Sequence, residues 1–450
     1  MAIKEGSLEA PKRAPLDWQN PEFYDKDSLY SELERVFDIC HGCRRCVSLC
    51  DSFPTLFDLV DESTTFEVDG VSKDDYTKVV DQCFLCDLCA QTKCPYLPPH
   101  DWAVDFPHLM LRAKAQRFKT KDTKWRDRVI TTTDPIFDAI SIPGVAQTAN
   151  AAANSKPLRK LGDKMVGIHP DAPLPAFHSK TLSKRVGTEV GELLTVKPSD
   201  KTTGKVAIYV TCYGEHNEPE VVEDMIAVFN HNGIPVKILS DAKCCGMPKL
   251  ELGDLAKVDQ LKDANLPIFL QAIEAGYDIV APIPSCVLMY KQELPLMYPD
   301  DSDVASVKRA FFDPFEYLTL RHKAGLVRTD FHESLGTVAY HVACHQRVQN
   351  IGMKTREFLS LIPDTEVTAI ERCSGHDGTY AVKSETYDKA MKIARPVVNR
   401  VKQVEPDTYG SDCPMAGRMI AHGLDEDPAT ALHHGNAEHP ISMVRRAYGA

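Results

Sequence analysis

The sequence has little of what a membrane-spanning or secreted protein needs. Its longest apolar stretch, residues 279–290, is broken by two prolines and falls short of the roughly 18 residues that a spanning helix requires. The first residues, MAIKEGSLEAPKRAPLDW, contain no apolar segment of the kind found in secretory signals. We therefore expect a cytoplasmic protein in a reducing compartment, where disulfides are disfavoured.

Basic residues are fewer than acidic ones, and the common phosphate-binding loops are absent from the sequence. The chain has 52 Lys and Arg against 64 Asp and Glu, a formal net charge of -12, which argues against nucleic acid as a partner. It contains no G-x-x-x-x-G-K-[ST] loop, no G-x-G-x-x-G after a strand and no G-x-S-x-G elbow. Any flavin or nicotinamide chemistry is therefore expected from another subunit.

Cysteine is plentiful, and eight of the 15 cysteines form two runs. The runs are C-x2-C-x2-C-x3-C at Cys40, Cys43, Cys46 and Cys50, and C-x2-C-x2-C-x4-C-P at Cys83, Cys86, Cys89 and Cys94. Three thiolates spaced in this way hold three corners of a [4Fe-4S] cube, and the fourth ligand comes from elsewhere. The cross-ligation rule predicts Cys94 as the fourth ligand of the first run's cluster and Cys50 as that of the second.

Two departures leave the choice of remote thiolate open. Cys50 is followed by Asp51 rather than proline, and the second run has one extra residue before Cys94. Structural zinc is an alternative, but a zinc site uses two separated C-x2-C pairs, so the third cysteine of each run is surplus. The spacing therefore favours two [4Fe-4S] clusters that sit close together.

The length of 450 residues allows about three domains. Residues 1–130 are predicted to be mostly helical around the cysteine runs, because SLYSELERVFDIC and FPHLMLRAKAQRF place apolar residues on one helix face. Residues 131–203 are rich in Ala, Asn, Ser and Pro without sustained periodicity. We expect this segment to be an extended connector.

A strand–helix–strand pattern then occurs twice. Residues 204–330 contain the strand-like segments VAIYV, VKIL and DIVAPIP, and residues 331–450 contain VAYHV, EVTAI and TYGSDC before a C-terminal tail. Buried strands that alternate with helices predict parallel sheets. The predicted fold class is therefore α+β and multidomain: a helical two-cluster ferredoxin domain followed by two α/β repeats.

The other seven cysteines follow these strands at matching points of the two repeats. The first repeat has Cys212, Cys244-Cys245-Gly246 and Cys286, and the second has Cys344, Cys373-Ser374-Gly375 and Cys413. Ligand sites of open α/β sheets lie at the carboxyl ends of the strands. Each group is therefore a candidate metal site, although single buried cysteines are also common as small apolar residues.

A pattern of one Cys, then CCG, then a C-x-x-C position occurs twice after a two-cluster ferredoxin motif. This arrangement resembles the CCG-domain iron-sulfur oxidoreductases. That family includes the iron-sulfur subunits of heterodisulfide reductase, anaerobic glycerol-3-phosphate dehydrogenase and glycolate oxidase. The segments DFPHLMLRAKAQRF and CSGHDGTY also resemble its members. The resemblance implies an iron-sulfur subunit of an oxidoreductase.

Neither repeat has the five cysteines of a full CCG domain. The first has four, with Ile283 at the first position of its C-x-x-C, and can hold a conventional cube or zinc. The second has three, with Ser374 inside the triplet and Ala416 at the end of the last pair. Its open corner can be completed by His376 or, less strongly indicated, by His345, because neutral imidazole is a competent ligand; it can also take a small substrate.

Other histidines and a basic segment give weaker signals. His41, beside Cys40, is expected to tune its cluster by hydrogen bonding. The histidines of residues 422–439 (His422, His433, His434 and His439) lack the compact spacing of a metal site and are expected in a solvated tail. Residues 108–128 are basic, and either dock an acidic partner or anionic lipid or form a solvated helix face.

The leading functional hypothesis is an electron-transfer subunit that passes electrons through two [4Fe-4S] clusters to the CCG-type sites and on to an acceptor such as quinone or a partner redox protein. Reductive cleavage of a disulfide at those sites is the second hypothesis, and a sensor or scaffold with zinc there is the third. A dehydrogenase subunit is the expected partner. A rubrerythrin-type protein and peripheral contact with the inner face of the membrane are further candidates.

Overall fold

The computed structural model describes residues 12–187, 189–190, 195–376, 378–426 and 437–450. The chain divides into two compact units. The first comprises Met1–Thr131, Gly246–Asp259 and Glu293–Asp301. The second comprises Thr132–Cys245, Gln260–Gln292 and Ser302–Ala450. The domain boundaries drawn from the sequence stay a prediction.

Helices make up most of the described structure. In chain order they are α1 (Lys26–Cys43), α2 (Ser52–Asp61), α3 (Tyr76–Asp81), α4 (Phe106–Lys119), α5 (Trp125–Ile130), α6 (Thr133–Ile140), α7 (Val145–Ala153), α8 (Lys156–Val166), α9 (Leu182–Arg185), α10 (Thr211–His216), α11 (Pro219–His231), α12 (Met247–Leu252), α13 (Leu255–Glu274), α14 (Pro284–Leu288), α15 (Leu294–Met297), α16 (Ser302–Ala310), α17 (Pro314–Lys323), α18 (Cys344–Arg347), α19 (Lys354–Leu359), α20 (Tyr387–Val404), α21 (Pro414–Asp425) and α22 (Pro440–Tyr448). Short 3-10 or π segments lie at Pro21–Tyr24, Val68–Gly70, Lys73–Asp75, Cys89–Lys93 and Met289–Glu293.

Helix α1 shows how local sequence positions the first cysteine run. The side chain of Asp25 caps its first turn by accepting the backbone N–H of Ser28. Leu29, Leu33, Val36 and Phe37 are buried along one face. The helix ends where Arg44 adopts a left-handed conformation with φ of 50°. Cys40 and Cys43 therefore lie on its last turn.

The second unit contains two sheets. The strands are β1 (Glu189–Val190), β2 (Val206–Ile208), β3 (Val236–Ile238), β4 (Asp278–Val280), β5 (Phe311–Phe312), β6 (Gly336–His341), β7 (Thr365–Ile370) and β8 (Thr408–Ser411). The five-stranded sheet has the order β1-β3-β2-β4-β5, and all its pairs are parallel except β1 with β3. The three-stranded sheet has the order β7-β6-β8 and is parallel throughout.

The predicted fold class is confirmed. Each segment predicted as a strand contains one, from VAIYV with β2 to TYGSDC with β8. In register, Val206 lies opposite Val236 in β3 and Asp278 in β4. In the second sheet Val338 lies opposite Val367 and Thr408. Parallel strands with intervening helices bring the ends of several strands, and the residues that follow them, to one edge of each sheet.

Two segments have more structure than the sequence indicated. Residues 131–203, predicted to be an extended connector, contain the helices α6 to α9. Residues 440–448, predicted to be part of a C-terminal tail, form α22, which is buried and packs against α11. Its Ile441, Val444 and Tyr448 belong to one hydrophobic core with residues of both sheets. The two repeats therefore share apolar packing within one unit.

Within the described ranges, every helix is too short or too polar to span a bilayer.

Candidate metal centres

Both ferredoxin-type loops use unusual backbone conformations. Arg44 follows Cys43 with φ of 50°, and Asp87 follows Cys86, the matching cysteine of the second run, with φ of 60°. Leu85 also has positive φ, at 51°. Non-glycine residues adopt this region rarely, so three cases in two short loops indicate a backbone folded to turn the cysteine side chains inward.

The first group of thiols gathers around Cys40. Burial raises the pKa of the Cys40 thiol well above its usual value, and Cys94, Cys46 and Cys43 raise it further. Burial also raises the pKa of Cys94, and Cys43 adds to this rise. Cys94 of the second run therefore lies among the three cysteines of the first, as cross-ligation requires.

The second group gathers around Cys89. Burial raises the pKa of the Cys89 thiol well above its usual value. The neighbouring thiols that raise it further are Cys83, Cys86, Cys50 and Cys46. Cys50 therefore lies among the cysteines of the second run. Cys46 of the first group is also close enough to raise the pKa of Cys89. The thiols would repel one another as thiolates, and iron supplies the positive charge that offsets this repulsion, so both groups fit a [4Fe-4S] cluster.

A buried ion network that the sequence did not reveal adjoins the second loop. Arg13 donates to Asp105 through Nε and Nη2, both at 2.8 Å, and also pairs with Asp87. His108 lies 3.3 Å from both Asp105 and Glu293. Burial and Arg13 act to lower the pKa of His108, but the two carboxylates outweigh them and raise it to about 9. Burial raises the pKa of Asp87 to about 6 against the effect of Arg13.

The first CCG site comprises Cys212, Cys244, Cys245 and Cys286, and the structure brings all four together. A hydrogen bond with Cys244, then burial, raises the pKa of Cys212. Hydrogen bonds with Cys244 and Cys286, then burial, raise the pKa of Cys245. Thr211, immediately before Cys212, has φ of 68°, a strained value for a β-branched residue. Four clustered thiols fit an iron-sulfur cluster or zinc.

A carboxylate that no sequence motif indicated lies at this site. One oxygen of Asp134 and the sulfurs of Cys212 and Cys244 all lie within 4.8 Å of one another. The backbone N–H of Cys244 donates to Asp134 Oδ2 at 2.9 Å. Burial and Cys244 raise the pKa of Asp134 to about 6. Asp134 is 110 positions from Cys244 in the chain, so no local motif could have identified it.

The second CCG site comprises Cys344, Cys373 and Cys413, at the ends of β6, β7 and β8. Cys373 accepts the backbone N–H of Gly375 at 3.4 Å. Burial raises the pKa of Cys413 to about 11, and Cys286 of the first site is among the groups that raise it. Helices α14 and α18, which carry Cys286 and Cys344, pack against each other. The two CCG sites are therefore neighbours within the second unit.

Glycine is required in the second triplet for steric reasons. Gly375 has φ of +72°, and a Cβ on it would lie 2.1 Å from the carbonyl oxygen of Ala390 in α20. Gly246, at the matching position of the first triplet, has φ of 92°. Both positions therefore need a residue without a side chain.

His376 has the burial expected of a ligand to a metal. Burial lowers its pKa to about 4, with smaller contributions from Arg418 and His345, so the ring is neutral. Its Nε2 atom is buried and has no hydrogen-bond partner within the described part of the chain. An orphaned ring nitrogen on a residue three positions after Cys373 fits a further metal ligand. The assignment of His376, like those of the cysteines, stays a prediction.

Asp412, next to Cys413, belongs to a buried network that braces this site. Burial and Asp313 raise the pKa of Asp412 to about 8. Tyr340 and Thr355 both donate hydrogen bonds to its carboxyl group. The network links β6 and α19 to the residue before Cys413, and no sequence motif signalled it.

Several weaker predictions about polar residues need correction. His439 is not in a solvated tail: it is buried, and its Nδ1 accepts the backbone N–H of Ile441 at the start of α22. His422 is partly buried and lies 2.7 Å from the hydroxyl of Tyr387. His433 and His434 lie outside the described residues. His41 Nδ1 lies 2.9 Å from Arg44 Nη2, and its expected role in tuning a cluster stays a prediction.

The basic segment 108–128 is bound into the first unit. Lys114 donates to the carbonyl of Cys83 at 2.6 Å, and Arg112 to that of Phe23 at 2.7 Å. Arg117 pairs with Asp81 at 2.6 Å. These contacts engage Lys114, Arg112 and Arg117 within the unit, and both alternatives for the segment, docking and a solvated helix face, stay predictions.

Comparison with known proteins agrees with this distribution of cysteines. A 4Fe-4S dicluster domain matches residues 39–97, the range that holds both cysteine runs. A cysteine-rich domain, CCG, matches twice, over residues 206–291 and 338–420, and these ranges include both CCG sites.

Three relatives have similar sequences. A subunit of anaerobic glycerol-3-phosphate dehydrogenase from Escherichia coli K12 is 27% identical over 75% of this chain and 81% of its own length. Lactate utilization protein A from Bacillus pumilus is 28% identical over 46% of this chain and 87% of its own. A subunit of fumarate reductase (CoM/CoB) from Methanothermobacter marburgensis is 24% identical over 50% of this chain and 43% of its own.

Proposed function

The chain is a CCG-domain iron-sulfur oxidoreductase component, with a 4Fe-4S dicluster domain and two cysteine-rich domains, and from this premise we propose that it carries electrons from a partner dehydrogenase subunit to an acceptor such as quinone. The clusters supply one-electron redox chemistry when bound. The chain's own residues hold and insulate them. The observation that carries the proposal is the exchange of Cys50 and Cys94 between the two thiol groups.

The proposed ligands follow from these groups. Cys40, Cys43, Cys46 and Cys94 would hold one [4Fe-4S] cluster, and Cys83, Cys86, Cys89 and Cys50 the other. The buried pairing of Arg13 with Asp87 supports this arrangement, because it fixes the residue that follows Cys86. Hydrogen bonds and charges around a cluster set its potential.

The two CCG sites are the proposed exit for electrons. Cys212, Cys244, Cys245 and Cys286 would hold an iron-sulfur cluster at the first site. Cys344, Cys373 and Cys413 would hold iron at the second with His376 as a further ligand, which its orphaned Nε2 supports. Cys286 of the first site is close enough to Cys413 of the second to raise its pKa. This proximity supports electron passage between the two sites.

Disulfide reduction at the CCG sites is the second candidate function. It is favoured by the three-thiol second site, which leaves a position for a substrate sulfur, and by the similarity to a component of fumarate reductase (CoM/CoB). Zinc in the CCG domains, in a sensor or scaffold, is a third. Thiol or disulfide substrates added to the reduced protein would change the cluster signals only under the second candidate.

We also propose that the protein contacts an anionic membrane surface through α8. Leu158, Leu161 and Met165 are 50%, 50% and 68% exposed on one helix face, and the lysines of α8 are exposed beside them. Arg159 fixes the opposite face by donating to the carbonyls of His169 at 2.7 Å and Ala172 at 2.6 Å. The net charge of the chain is -12, but the lysines make this face locally positive. An apolar stripe beside such lysines suits anionic lipid. A rubrerythrin-type partner has no comparable support within the described residues.

Anaerobic purification with iron, sulfide and zinc analysis and EPR of the reduced protein tests the proposed function. We expect two interacting [4Fe-4S] signals plus iron and sulfide beyond the amount that two cubes contain. Zinc in place of this additional iron would support the sensor or scaffold. A preparation without any bound iron would contradict the proposal.

A further inference from the structure

The donor set of the first CCG site extends beyond its four cysteines. Asp134 comes from α6, in the segment between the dicluster domain and the first repeat, and its carboxylate reaches the sulfurs of Cys212 and Cys244. Ligands bind a metal at about 2.0–2.3 Å, so two ligands of one ion lie at most about 4.5 Å apart. A spacing within 4.8 Å therefore needs only a small adjustment to bind one metal.

Helix α6 is firmly held beside the helix that carries Cys212. Phe137 packs edge-on against His216 of α10, with ring centroids 5.9 Å apart. Ser141 lies 2.9 Å from Nδ1 of the same histidine, and Asp138 lies 3.4 Å from its Nε2. These contacts fix Asp134 at the site through the packing of its helix.

The two oxygens of Asp134 have different surroundings. Oδ2 accepts the backbone N–H of Cys244 at 2.9 Å, which orients the carboxylate toward the cysteine pair. Oδ1 lies 3.5 Å from the hydroxyl of Thr133, which is at the limit of a hydrogen bond. Burial beside thiols disfavours the carboxylate charge, and a bound cation would reverse this effect.

We propose that Asp134 is an oxygen ligand to iron at the first CCG site, where it completes a mixed donor set with Cys212, Cys244, Cys245 and Cys286. The inference rests on the proposed function only in requiring that this site holds iron. A carboxylate is a harder ligand than a thiolate, so the iron bound to Asp134 would differ in its electronic environment from iron bound only by thiolates. Such a difference gives this site a distinct spectroscopic signature.

Three substitutions separate ligation from a supporting role. Asp134→Asn keeps an oxygen that accepts the N–H of Cys244 but removes the anionic ligand. Asp134→Cys replaces the oxygen with a fifth sulfur. Asp200→Asn is the control, because it changes an exposed carboxylate of the same unit outside the site. Mössbauer spectra of protein loaded with iron-57, together with the rate of iron release to a chelator, provide readouts that are independent of turnover.

We expect Asp134→Asn to lose the oxygen-ligated iron signal and to release that iron at least about tenfold faster. Asp134→Cys should retain iron with an all-thiolate spectrum, and Asp200→Asn should match the unaltered protein. The EPR signals of the two ferredoxin-type clusters report on folding in every variant. If Asp134→Asn and Asp134→Cys both give the unaltered spectrum, Asp134 is not a ligand. If the unaltered protein holds no iron beyond the two cubes, the proposed role of the CCG sites fails instead.

Discussion

Single thiols in this protein lie in surroundings that favour the protonated form. Burial and neighbouring sulfurs raise the pKa of Cys40 and Cys89, yet the thiolate is the form that binds iron. Iron must therefore supply the charge that stabilises these thiolates, and metal loading is coupled to the folding of the loops. Each cysteine should then affect the one cluster to which it is bound.

Cross-ligation can be tested by comparing remote and local cysteines. Cys50→Ser should alter the same cluster signal as Cys86→Ser, and Cys94→Ser the same signal as Cys43→Ser, because each remote thiol lies among the cysteines of the other run. EPR-monitored redox titration of the reduced variants measures this. Cys413→Ser serves as the control and should leave both signals unchanged. If Cys50→Ser instead reproduces Cys43→Ser, each run ligates its own cluster.

Sequence spacing located the cysteines but not the other residues of the sites. The thiols were predictable because C-x2-C-x2-C is a local pattern that one loop can satisfy. Asp134 was not, because its contact with Cys244 spans 110 positions and arises from tertiary packing. Arg13 escaped notice for the same reason, since Asp105 is 92 positions away.

A buried ion network of Arg13, Asp87, Asp105, His108 and Glu293 joins helices and loops around the dicluster domain. Arg13 belongs to the N-terminal segment, Asp87 to the second cluster loop, and Asp105 caps α4 by accepting the N–H of His108. Glu293 brings a segment from beyond β4 into the same unit. The network therefore links four segments that are distant in sequence.

Removal of the central cation should destabilise the first unit. Arg13→Gln leaves Asp87 and Asp105 buried without their guanidinium partner, and we expect a loss of about 3–5 kcal/mol. Urea unfolding, followed by cluster absorbance under anaerobic conditions, measures the change. Arg35→Gln is the control, because its pair with Glu32 is exposed and contributes at most about 1 kcal/mol. Equal effects of the two substitutions would contradict the central role of Arg13.

The proposed contact of helix α8 with an anionic membrane can be tested by substitution. Replacing its lysines together (Lys156→Gln, Lys160→Gln and Lys164→Gln) should weaken binding to vesicles that contain anionic lipid by about 100-fold, at about 1 kcal/mol per charge. Leu161→Glu should weaken it as well by removing apolar contact. Vesicle co-sedimentation measures both effects, and Val196→Glu, at another exposed apolar position, is the control. Equal binding to uncharged vesicles would contradict the role of anionic lipid. Binding to neither type would contradict membrane contact and leave the stripe to a protein partner.

The strands were more predictable than the short helices. Segments such as VAIYV and DIVAPIP are compact apolar runs, and the structure has β2 and β4 there. Helices α6, α7 and α8 span only 8 to 11 residues each, and in a stretch rich in Ala, Asn, Ser and Pro such short segments give a weak helix signal. Propensity and packing decide such helices together, and packing is not visible in the sequence.

At the scale of the whole molecule, the chain order does not match the division into units. The first unit includes Gly246–Asp259 and Glu293–Asp301, although both segments occur within the sequence of the first repeat. Strand patterns indicated the repeats, but no sequence pattern marks which segments leave one unit for the other. The first unit therefore includes two segments from the sequence of the first repeat, and a fragment that ends at residue 131 would lack them.

The proposed electron path can be tested at Cys286. This thiol is among the groups that raise the pKa of Cys212 at the first CCG site and of Cys413 at the second. Cys286→Ser should leave the two ferredoxin-type signals reducible, because the substitution lies in the other unit. Reoxidation of the reduced protein by a water-soluble quinone should slow by about tenfold or more, since the first site loses a ligand. Stopped-flow absorbance measures the rate, and Ser285→Ala, the adjacent position, is the control. If Cys286→Ser is reoxidised at the unaltered rate, electrons leave directly from the dicluster domain and the CCG sites do not lie on the path.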